Sequence, residues 1–224
     1  ANGELFWATM MWRLLCYYSW IILGLCLHFK AFLARKKTPR IISPGQELTE
    51  AQFTDVFYPQ TGLICDEIKR LAEIKQLSAH SCVICAGYNK TSEDLYRFSV
   101  RRLSALNKGG INRLIYPFTT FSARKYLRNN HFYCYRIHTP FAVGRFAVKA
   151  AGRYGAVTVG QVHSEYLKDI ISLKGSRTSE RFTRWRIKRF YETVDRIYAQ
   201  SEEDVQFLRD CGFEGEILLS DDAD

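Results

Sequence analysis

Two histidines, His138 and His163, each follow a short apolar segment, and imidazole is the side chain best suited to moving protons near neutral pH. The segments are FYCYRIH, residues 132–138, and AVTVGQV, residues 156–162. Their aromatic and β-branched residues favour β-strands. One histidine at a strand end is usually a solvated side chain, but two at equivalent ends are candidates for a general base or a hydrogen-bond donor. A metal centre is not indicated, because no third ligand has a suitable sequence spacing.

The residues between these two strands predict a helix. Thr139 can cap it, Pro140 suits its first turn, and Gly155 is a typical left-handed terminator. A strand, a helix and a second strand form a βαβ unit with parallel strands, so both histidines should lie at the carboxyl edge of one sheet. Open α/β sheets bind ligands at that edge, and the N–H groups of the helix N-terminus favour an anion there. Apolar residues recur at helical spacing at Val143, Phe146, Ala147, Ala150, Ala151 and Tyr154.

The composition is that of a basic chain with a sizeable core. It has 224 residues, of which 47% are hydrophobic. The formal net charge of +9 is uneven, because residues 201–224 carry −8 and the first 200 residues carry +17. A basic body indicates an anionic partner such as lipid headgroups, phosphates or nucleic acid. The sequence has no recognised nucleic-acid motif, and we expect no nucleic-acid partner.

Seven cysteines at irregular spacings predict buried free thiols in a reducing compartment. Cys82 and Cys85 form a C-x-x-C pair inside an apolar segment, for which a redox function is the alternative. A second such pair, as zinc sites have, does not accompany them.

The first forty residues differ from the rest and predict a membrane anchor. Residues 14–29 contain no charged side chain, and a helix of this length reaches about 24 Å, somewhat less than the ~30 Å hydrocarbon core. A longer span that starts at Leu5 would have to accommodate Arg13, so spanning and lying partly embedded both remain open. Lysines and arginines in residues 30–40 predict that everything after residue 40 faces the cytoplasm. The alternative is a buried helix of the globular domain.

A second segment, SERFTRWRIKRFYETV at residues 179–194, is both basic and aromatic. A basic amphipathic helix of this kind binds anionic lipid. The candidate membrane-binding residues are Arg184, Trp185, Lys188 and Arg189.

Strand and helix signals alternate along the remaining chain, after a linker that ends near residue 45. This alternation predicts an α/β domain over residues 45–224 with a Rossmann-like, mostly parallel sheet. The predicted organisation is therefore a hydrophobic segment with its basic flank, residues 1–40, followed by one Rossmann-like domain.

An ordered series of motifs resembles the N-terminal domain of retaining GT-B glycosyltransferases, the large family with phosphatidylinositol mannosyltransferases and diacylglycerol glucosyltransferases. TDVFYPQTG at residues 54–62 resembles the family's first strand and glycine loop. The segment at residues 136–166 resembles its His-x-Pro turn, helix and strand ending in histidine. VDRIYAQSEEDVQFLRDCGF at residues 194–213 resembles the following strand, serine and helix.

The resemblance implies half of a GT-B fold that binds the acceptor, while a separate domain binds the nucleotide-sugar donor. It implies that His163 is catalytic and that the reaction moves a hexose to a lipid or glycan hydroxyl without a cofactor or a metal. It also implies acceptor binding by His138, Thr139, Gly62, Glu165 and Tyr166, and a loop for the donor phosphates at Pro59, Thr61 and Gly62. The expected partners are membrane lipids, the donor held by a missing or separate domain, and a second protein subunit.

The glycine loop departs from the family pattern, since Leu63 follows Gly62 where the family usually has a second glycine. A leucine crowds the close approach of a phosphate that glycine allows. The donor-binding part of the family is also not within these 224 residues. The alternative function is therefore a catalytically inactive, membrane-anchored binding or regulatory subunit.

Overall fold

The structure, a computed structural model, describes residues 10–13, 16, 18–19, 50–57, 62–76, 81–87, 99–108, 111–173 and 175–219. The chain divides into two compact units, Ala1–Thr38 and Pro39–Asp224. The described residues of the first unit are helical. Among the described residues, no helix is both long enough and apolar enough to cross a bilayer. Most of the predicted anchor, residues 1–40, lies outside the described part of the chain, so the anchor stays a prediction without structural support.

The second unit is built on a parallel sheet. Seven of its described strands pair in the order β3-β2-β1-β6-β7-β8-β9, every neighbouring pair is parallel, and β4 and β5 form a separate antiparallel hairpin. The strands are β1 Glu50–Thr54, β2 Ser81–Ala86, β3 Ser99–Leu103, β4 Ala105–Lys108, β5 Ile111–Ile115, β6 Cys134–Ile137, β7 Val157–Gln161, β8 Arg196–Ala199 and β9 Leu218–Leu219. This is the predicted Rossmann-like, mostly parallel sheet.

The helices connect these strands and cover the sheet. They are α1 Leu63–Gln76, α2 Thr120–Asn130, α3 Ala142–Tyr154, α4 Ser164–Ser172, α5 Arg177–Tyr191 and α6 Glu202–Asp210, with a short 3-10 helix at Pro117–Thr119. Neighbouring residues of β2 point to opposite faces of the sheet. Val83 packs in one core cluster with Ile64 and Ile68 of α1, and Ile84 packs in the other with Phe146 of α3. The sheet is therefore covered on both faces, as parallel sheets require.

The predicted βαβ unit is confirmed. β6 and β7 pair in parallel, with Ile137 opposite Gly160, and α3 lies between them in the chain. Gly155 ends α3 in the left-handed conformation, with φ 73°. The prediction that Thr139 caps this helix is wrong: Phe141 is the N-cap, and the helix begins two residues after Pro140.

The described cysteines are all free thiols. Cys82 and Cys85 lie within β2 and are fully buried. Burial raises the pKa of Cys85 to about 12 and that of Cys82 further still. Thiols in this state are poor nucleophiles, which disfavours a redox pair. The predicted burial is found for Cys65, Cys82, Cys85 and Cys211, whereas Cys16 is exposed and Cys134 is half-buried.

Two glycines of α3 give a matched test of how closely this helix packs. A Cβ on Gly144 would collide with the Thr139 carbonyl oxygen and lie 3.0 Å from Ile137 Cγ2, whereas a Cβ on Gly152 would have no neighbour within 4 Å. Gly144→Ala should therefore destabilise the domain by about 3 kcal/mol. Gly152→Ala should stabilise it by up to about 1 kcal/mol, because alanine restricts the unfolded chain. Equilibrium urea unfolding measures both, and equal effects would contradict the packing described for α3.

Candidate functional site

The site lies where the strand order reverses. β1 and β6 are neighbours in the sheet, and the chain winds away from this pair in opposite directions. Ligands of open α/β sheets bind outside the carboxyl ends of the strands at such a switch point. His138 follows β6 and His163 follows β7 at this edge, so the structure brings together the two histidines that the sequence singled out.

The two imidazoles are in direct contact and largely buried. Their rings stack at 5.3 Å between centroids, and His138 Nδ1 lies 3.1 Å from His163 Nε2. His138 Nε2 lies 2.7 Å from Oε1 of Gln52 in β1. On the other side, His163 Nδ1 faces Oε2 of Glu67 in α1 at 3.6 Å. A row of polar groups therefore crosses the sheet edge from Gln52 through both histidines to Glu67.

Burial controls the protonation of these groups. His138 is 1% exposed and His163 is 8% exposed. Because burial disfavours the charged form, the pKa of His163 falls to about 4 and that of His138 falls well below its usual value. Burial raises the pKa of Glu67 to about 6 for the same reason. The pKa of Glu67 thus lies above that of His163, and a proton between the two belongs to the carboxyl group.

The N-terminus of α3 is occupied by the carboxylate of Asp55, the residue after β1. Asp55 Oδ1 accepts a hydrogen bond from the Val143 N–H at 3.2 Å, and Oδ2 accepts one from the Thr139 hydroxyl at 2.8 Å. Thr139 Oγ1 in turn accepts from the Asp55 N–H at 2.7 Å. The anion that we expected at this helix end is therefore the protein's own, and the hydroxyl of Thr139, which is fully buried, is committed to Asp55.

A second carboxylate occupies the start of α4 in the same way. His163 is the N-cap of α4 and makes no side-chain cap bond. Asp204, in the first turn of α6, accepts instead from the Ser164 N–H at 2.8 Å and from the Gln200 N–H at 3.2 Å. Both helix starts beside the histidines are thus paired with carboxylates of the protein itself.

The other predicted site residues are placed as follows. Gly62 is exposed, has φ 152° and accepts the first backbone hydrogen bonds of α1 with its carbonyl oxygen. Tyr166 in α4 is half-buried against Phe141, and burial raises its pKa. Glu165 is exposed in the first turn of α4. Pro59 and Thr61 of the predicted phosphate loop lie outside the described residues.

The predicted membrane-binding residues share α5. Trp185 is 54% exposed and stacks on the exposed Phe182, with 5.6 Å between ring centroids. Lys188 and Arg189 both pair with Glu192. Arg184 is half-buried and hydrogen-bonds Cys211. The apolar side of α5, with Ile187 and Phe190, faces the core, so the Phe182–Trp185 pair is on its outer side.

The sequence did not reveal four groups around the histidines. Gln52 and Glu67 contact the imidazoles, whereas Asp55 and Asp204 bond the residues that follow them. Gln52 and Asp55 had a signal, since polar residues alternate through β1 and an acid directly follows it. Glu67 had a weaker one, because it follows Ile64 by three residues and so lies on the apolar side of α1. The sequence Ser201-Glu-Glu-Asp204 predicts a capping box, and the structure confirms that Ser201 caps α6 and accepts from the Asp204 N–H. The pattern does not indicate that Asp204 also reaches the start of α4.

Glu67 is also the third group that the sequence spacing did not reveal. One donor atom from each of Glu67, His138 and His163 lies within 4.8 Å of the other two. The direct hydrogen bond between the imidazoles accounts for the proximity of the two histidines without an ion, so we assign the three groups to the row of polar groups described above. The expectation that the site needs no metal stays a prediction.

The fold and the site define a doubly wound α/β domain with a polar ligand edge at its switch point. A model of glycosyltransferase family 4 matches residues 71–218 of the chain. Because this match covers most of the chain, the protein belongs to glycosyltransferase family 4. The match supports the resemblance to glycosyltransferases in general. The match begins after Glu67 and therefore includes both histidines but not the glycine loop.

A search of curated proteins finds no match to the chain. Among solved structures, the chain is similar to a protein described as a UDP-N-acetylglucosamine 2-epimerase from Listeria monocytogenes, with 9% identity and a TM-score of 0.43 over 75% of this chain and 43% of that one. The chain thus spans less than half of that protein's length. It is also similar to an N-acetylmannosamine-6-phosphate 2-epimerase from Clostridium perfringens, with 12% identity and a TM-score of 0.22 over 77% of this chain and 86% of that one. At these TM-scores neither likeness supports a conclusion about activity.

The lowered pKa of His163 predicts a loss of stability in acid. The unfolded chain binds a proton on this histidine below pH 6.5, whereas the folded domain binds it only below about pH 4. Acidification between these values therefore favours unfolding. Between pH 7 and 4.5, the free energy of unfolding of the parent domain should fall by about 2 kcal/mol more than that of the His163→Gln variant, because glutamine cannot become charged. Urea unfolding at the two pH values measures the difference, and parallel losses would show that His163 is not buried in its neutral form.

Proposed function

We propose that this chain is the acceptor-binding half of a membrane-associated glycosyltransferase that moves a hexose from a nucleotide sugar to a hydroxyl group of a lipid or a glycan. The observation that carries the proposal is the pair of buried, hydrogen-bonded histidines at the carboxyl edge of a family 4 domain. The neutral ring of His163 suits a group that accepts a hydrogen bond from a hydroxyl, since a protonated ring could not. Its role is to orient that hydroxyl and to steady developing charge.

The donor would come from a separate domain or chain that holds the nucleotide sugar. Gly62 supports a phosphate near this edge, because its positive φ and open surroundings let a ligand approach the backbone at the start of α1. Both other helix starts at the histidines already carry a carboxylate, so a phosphate there would be repelled. The second domain or subunit would also supply the cationic groups that stabilise the negative charge on the leaving nucleotide.

Membrane association rests on the outer side of α5. An exposed aromatic pair flanked by arginines matches the interface of an anionic bilayer, where aromatic rings enter the headgroup region and basic side chains meet phosphates. Arg186, which lies over the Phe182 ring at 5.8 Å, adds to this charge. With the proposed anchor in residues 1–40, this surface would hold the domain on the cytoplasmic face, close to a lipid acceptor.

The second candidate is a binding or regulatory subunit without catalytic activity. It is favoured by the 8% exposure of His163 and by the hydrogen bond that already joins its Nε2 to His138. The transfer assay below separates the two functions, because a binding subunit would retain lipid binding and give no transfer.

Removal of the His163 imidazole should abolish most sugar transfer. The chain is combined with a separately supplied nucleotide-sugar domain of a family 4 enzyme, and labelled UDP-glucose, UDP-N-acetylglucosamine and GDP-mannose are tested on vesicles of phosphatidylinositol or diacylglycerol. His163→Ala should lower the rate about 100-fold, as the loss of a positioned proton-handling group does. His138→Ala should cost less, since its ring acts through His163.

His131→Asn is the control, because His131 is exposed and adopts a left-handed conformation that asparagine tolerates. It should transfer at the parental rate. Parental transfer by His163→Ala, with the domain still folded, would refute the assignment.

Membrane attachment should have a strong and a weak part. Deletion of residues 1–40 should release most of the protein from membranes and leave a salt-sensitive attachment through α5. In the shortened chain, Trp185→Ala should lower flotation with anionic vesicles several-fold. Phe121→Ala, which removes an equally exposed ring (52%) from α2, should have no effect. If the full chain partitions into the aqueous fraction without detergent, the anchor is ruled out.

A further inference from the structure

The row of polar groups determines which nitrogen of each imidazole carries a hydrogen, starting from β1. Glu50 accepts hydrogen bonds from Arg136 Nε at 2.5 Å and from Gln52 Nε2 at 2.9 Å. The amide nitrogen of Gln52 therefore points to Glu50, and its oxygen points to His138. An amide oxygen can only accept, so His138 Nε2 must carry a hydrogen.

The tautomer of the second ring is fixed by that of the first. A neutral imidazole has one N–H, so His138 Nδ1 is unprotonated and can only accept. His163 Nε2, 3.1 Å away, must then be the donor. This leaves His163 Nδ1 without a hydrogen, and it is this atom that faces Glu67.

Glu67 Oε2 and His163 Nδ1 are thus two acceptors facing one another across 3.6 Å. The distance is longer than a hydrogen bond, and two lone pairs repel unless a proton lies between them. Either Glu67 supplies that proton or another donor must enter. The second case is open to a ligand, because an O–H group is the simplest donor that can satisfy one of these acceptors.

Charged and polar groups from several elements act on this pair. Gln200, after β8, hydrogen-bonds Glu67, and Arg70 of α1 and Arg136 of β6 favour its ionised form. Asp204 of α6 acts in the opposite sense on Glu67 and favours a proton on His163. Burial outweighs the cations, since the pKa of Glu67 still rises to about 6. Glu67 therefore changes its protonation state just below neutral pH.

We propose that Glu67 is a positioning residue of this site: protonated, it occupies His163 Nδ1, and ionised, it leaves that atom to a hydroxyl group of the acceptor. The identity of the hydroxyl rests on the proposed function, whereas the position of the proton does not. Glu67 does not touch the reacting atoms in this role. It decides whether the acceptor atom of His163 is available.

Two substitutions of Glu67 separate this role from a merely structural one. The side-chain amide introduced by Glu67→Gln would keep the bond from Gln200 through its oxygen and donate permanently to His163 Nδ1, as protonated Glu67 does. Glu67→Ala removes the competing donor and leaves Nδ1 free. The proposal predicts at least tenfold slower transfer by Glu67→Gln than by Glu67→Ala at pH 7.5. A structural role predicts the reverse order, because alanine loses more contacts.

The position of the proton is measured without any transfer reaction, by nitrogen NMR of the full chain with 15N-labelled histidine. His163 should carry its hydrogen on Nε2 throughout, and its Nδ1 signal should titrate with a midpoint near pH 6 in the parent. In Glu67→Ala the signal should stay that of a free acceptor, and in Glu67→Gln that of a hydrogen-bonded one. The His138 signals report whether each variant is folded.

A hydrogen on His163 Nδ1, or the same titration in Glu67→Ala, would overturn the proposal. The expected NMR result without transfer from any of the three nucleotide sugars would refute the proposed function and leave the role of Glu67 intact. Transfer in which Glu67→Gln equals the parent would overturn the positioning role and leave the proposed function standing.

Discussion

The carboxylate of Asp55 joins the two halves of the sheet at the point where their order reverses. Asp55 directly follows β1 and accepts hydrogen bonds from the Thr139 hydroxyl and the Val143 N–H. These bonds hold the turn after β6 and the start of α3 against β1. A buried carboxylate is tolerated only when hydrogen bonds replace its lost hydration. Meeting that requirement places His138, the residue before Thr139, beside Gln52 in β1. The position of His138 at the site therefore depends on the hydrogen bonds of one buried carboxylate.

Beyond Asp55, the organising constraint is that buried polar atoms must find partners. Glu50, Gln52 and Arg136 form a polar cluster inside the sheet, with Arg136 also donating to Gln161. Each hydrogen bond decides whether the next group must donate or accept, so the roles of the groups in one strand fix the roles of those in the next strand. An otherwise symmetric imidazole acquires one tautomer in this way. The polar cluster inside the sheet thus fixes the tautomers of the histidines independently of any ligand.

The carboxyl edge is also selective in charge. Asp55 and Asp204 occupy the starts of α3 and α4, which would otherwise attract anions. In the proposed function, a neutral hydroxyl would therefore lie beside the histidines and a donor phosphate nearer Gly62. The outer side of α5 is separate in character, since it combines exposed rings with basic side chains.

Local patterns in the sequence determined the βαβ unit, the parallel pairing of β6 and β7, the left-handed end at Gly155 and the cap at Ser201. These features depend on residues that lie near one another in the chain, so periodicity, capping chemistry and the geometry of a βαβ connection are enough to predict them. The same patterns placed His138 and His163 at one edge. They could not decide what surrounds those rings, because Gln52 and Glu67 reach His138 and His163 only after β1 and α1 have packed. The predicted cap at Thr139 fails for the same reason. Asp55 accepts the helix N–H of Val143, and it lies too far away in the chain for a local pattern to reveal it. The protonation of His163 could not be predicted from the sequence either. Burial and hydrogen bonds from distant residues, and not the residue type, determine which of its ring nitrogens carries no hydrogen.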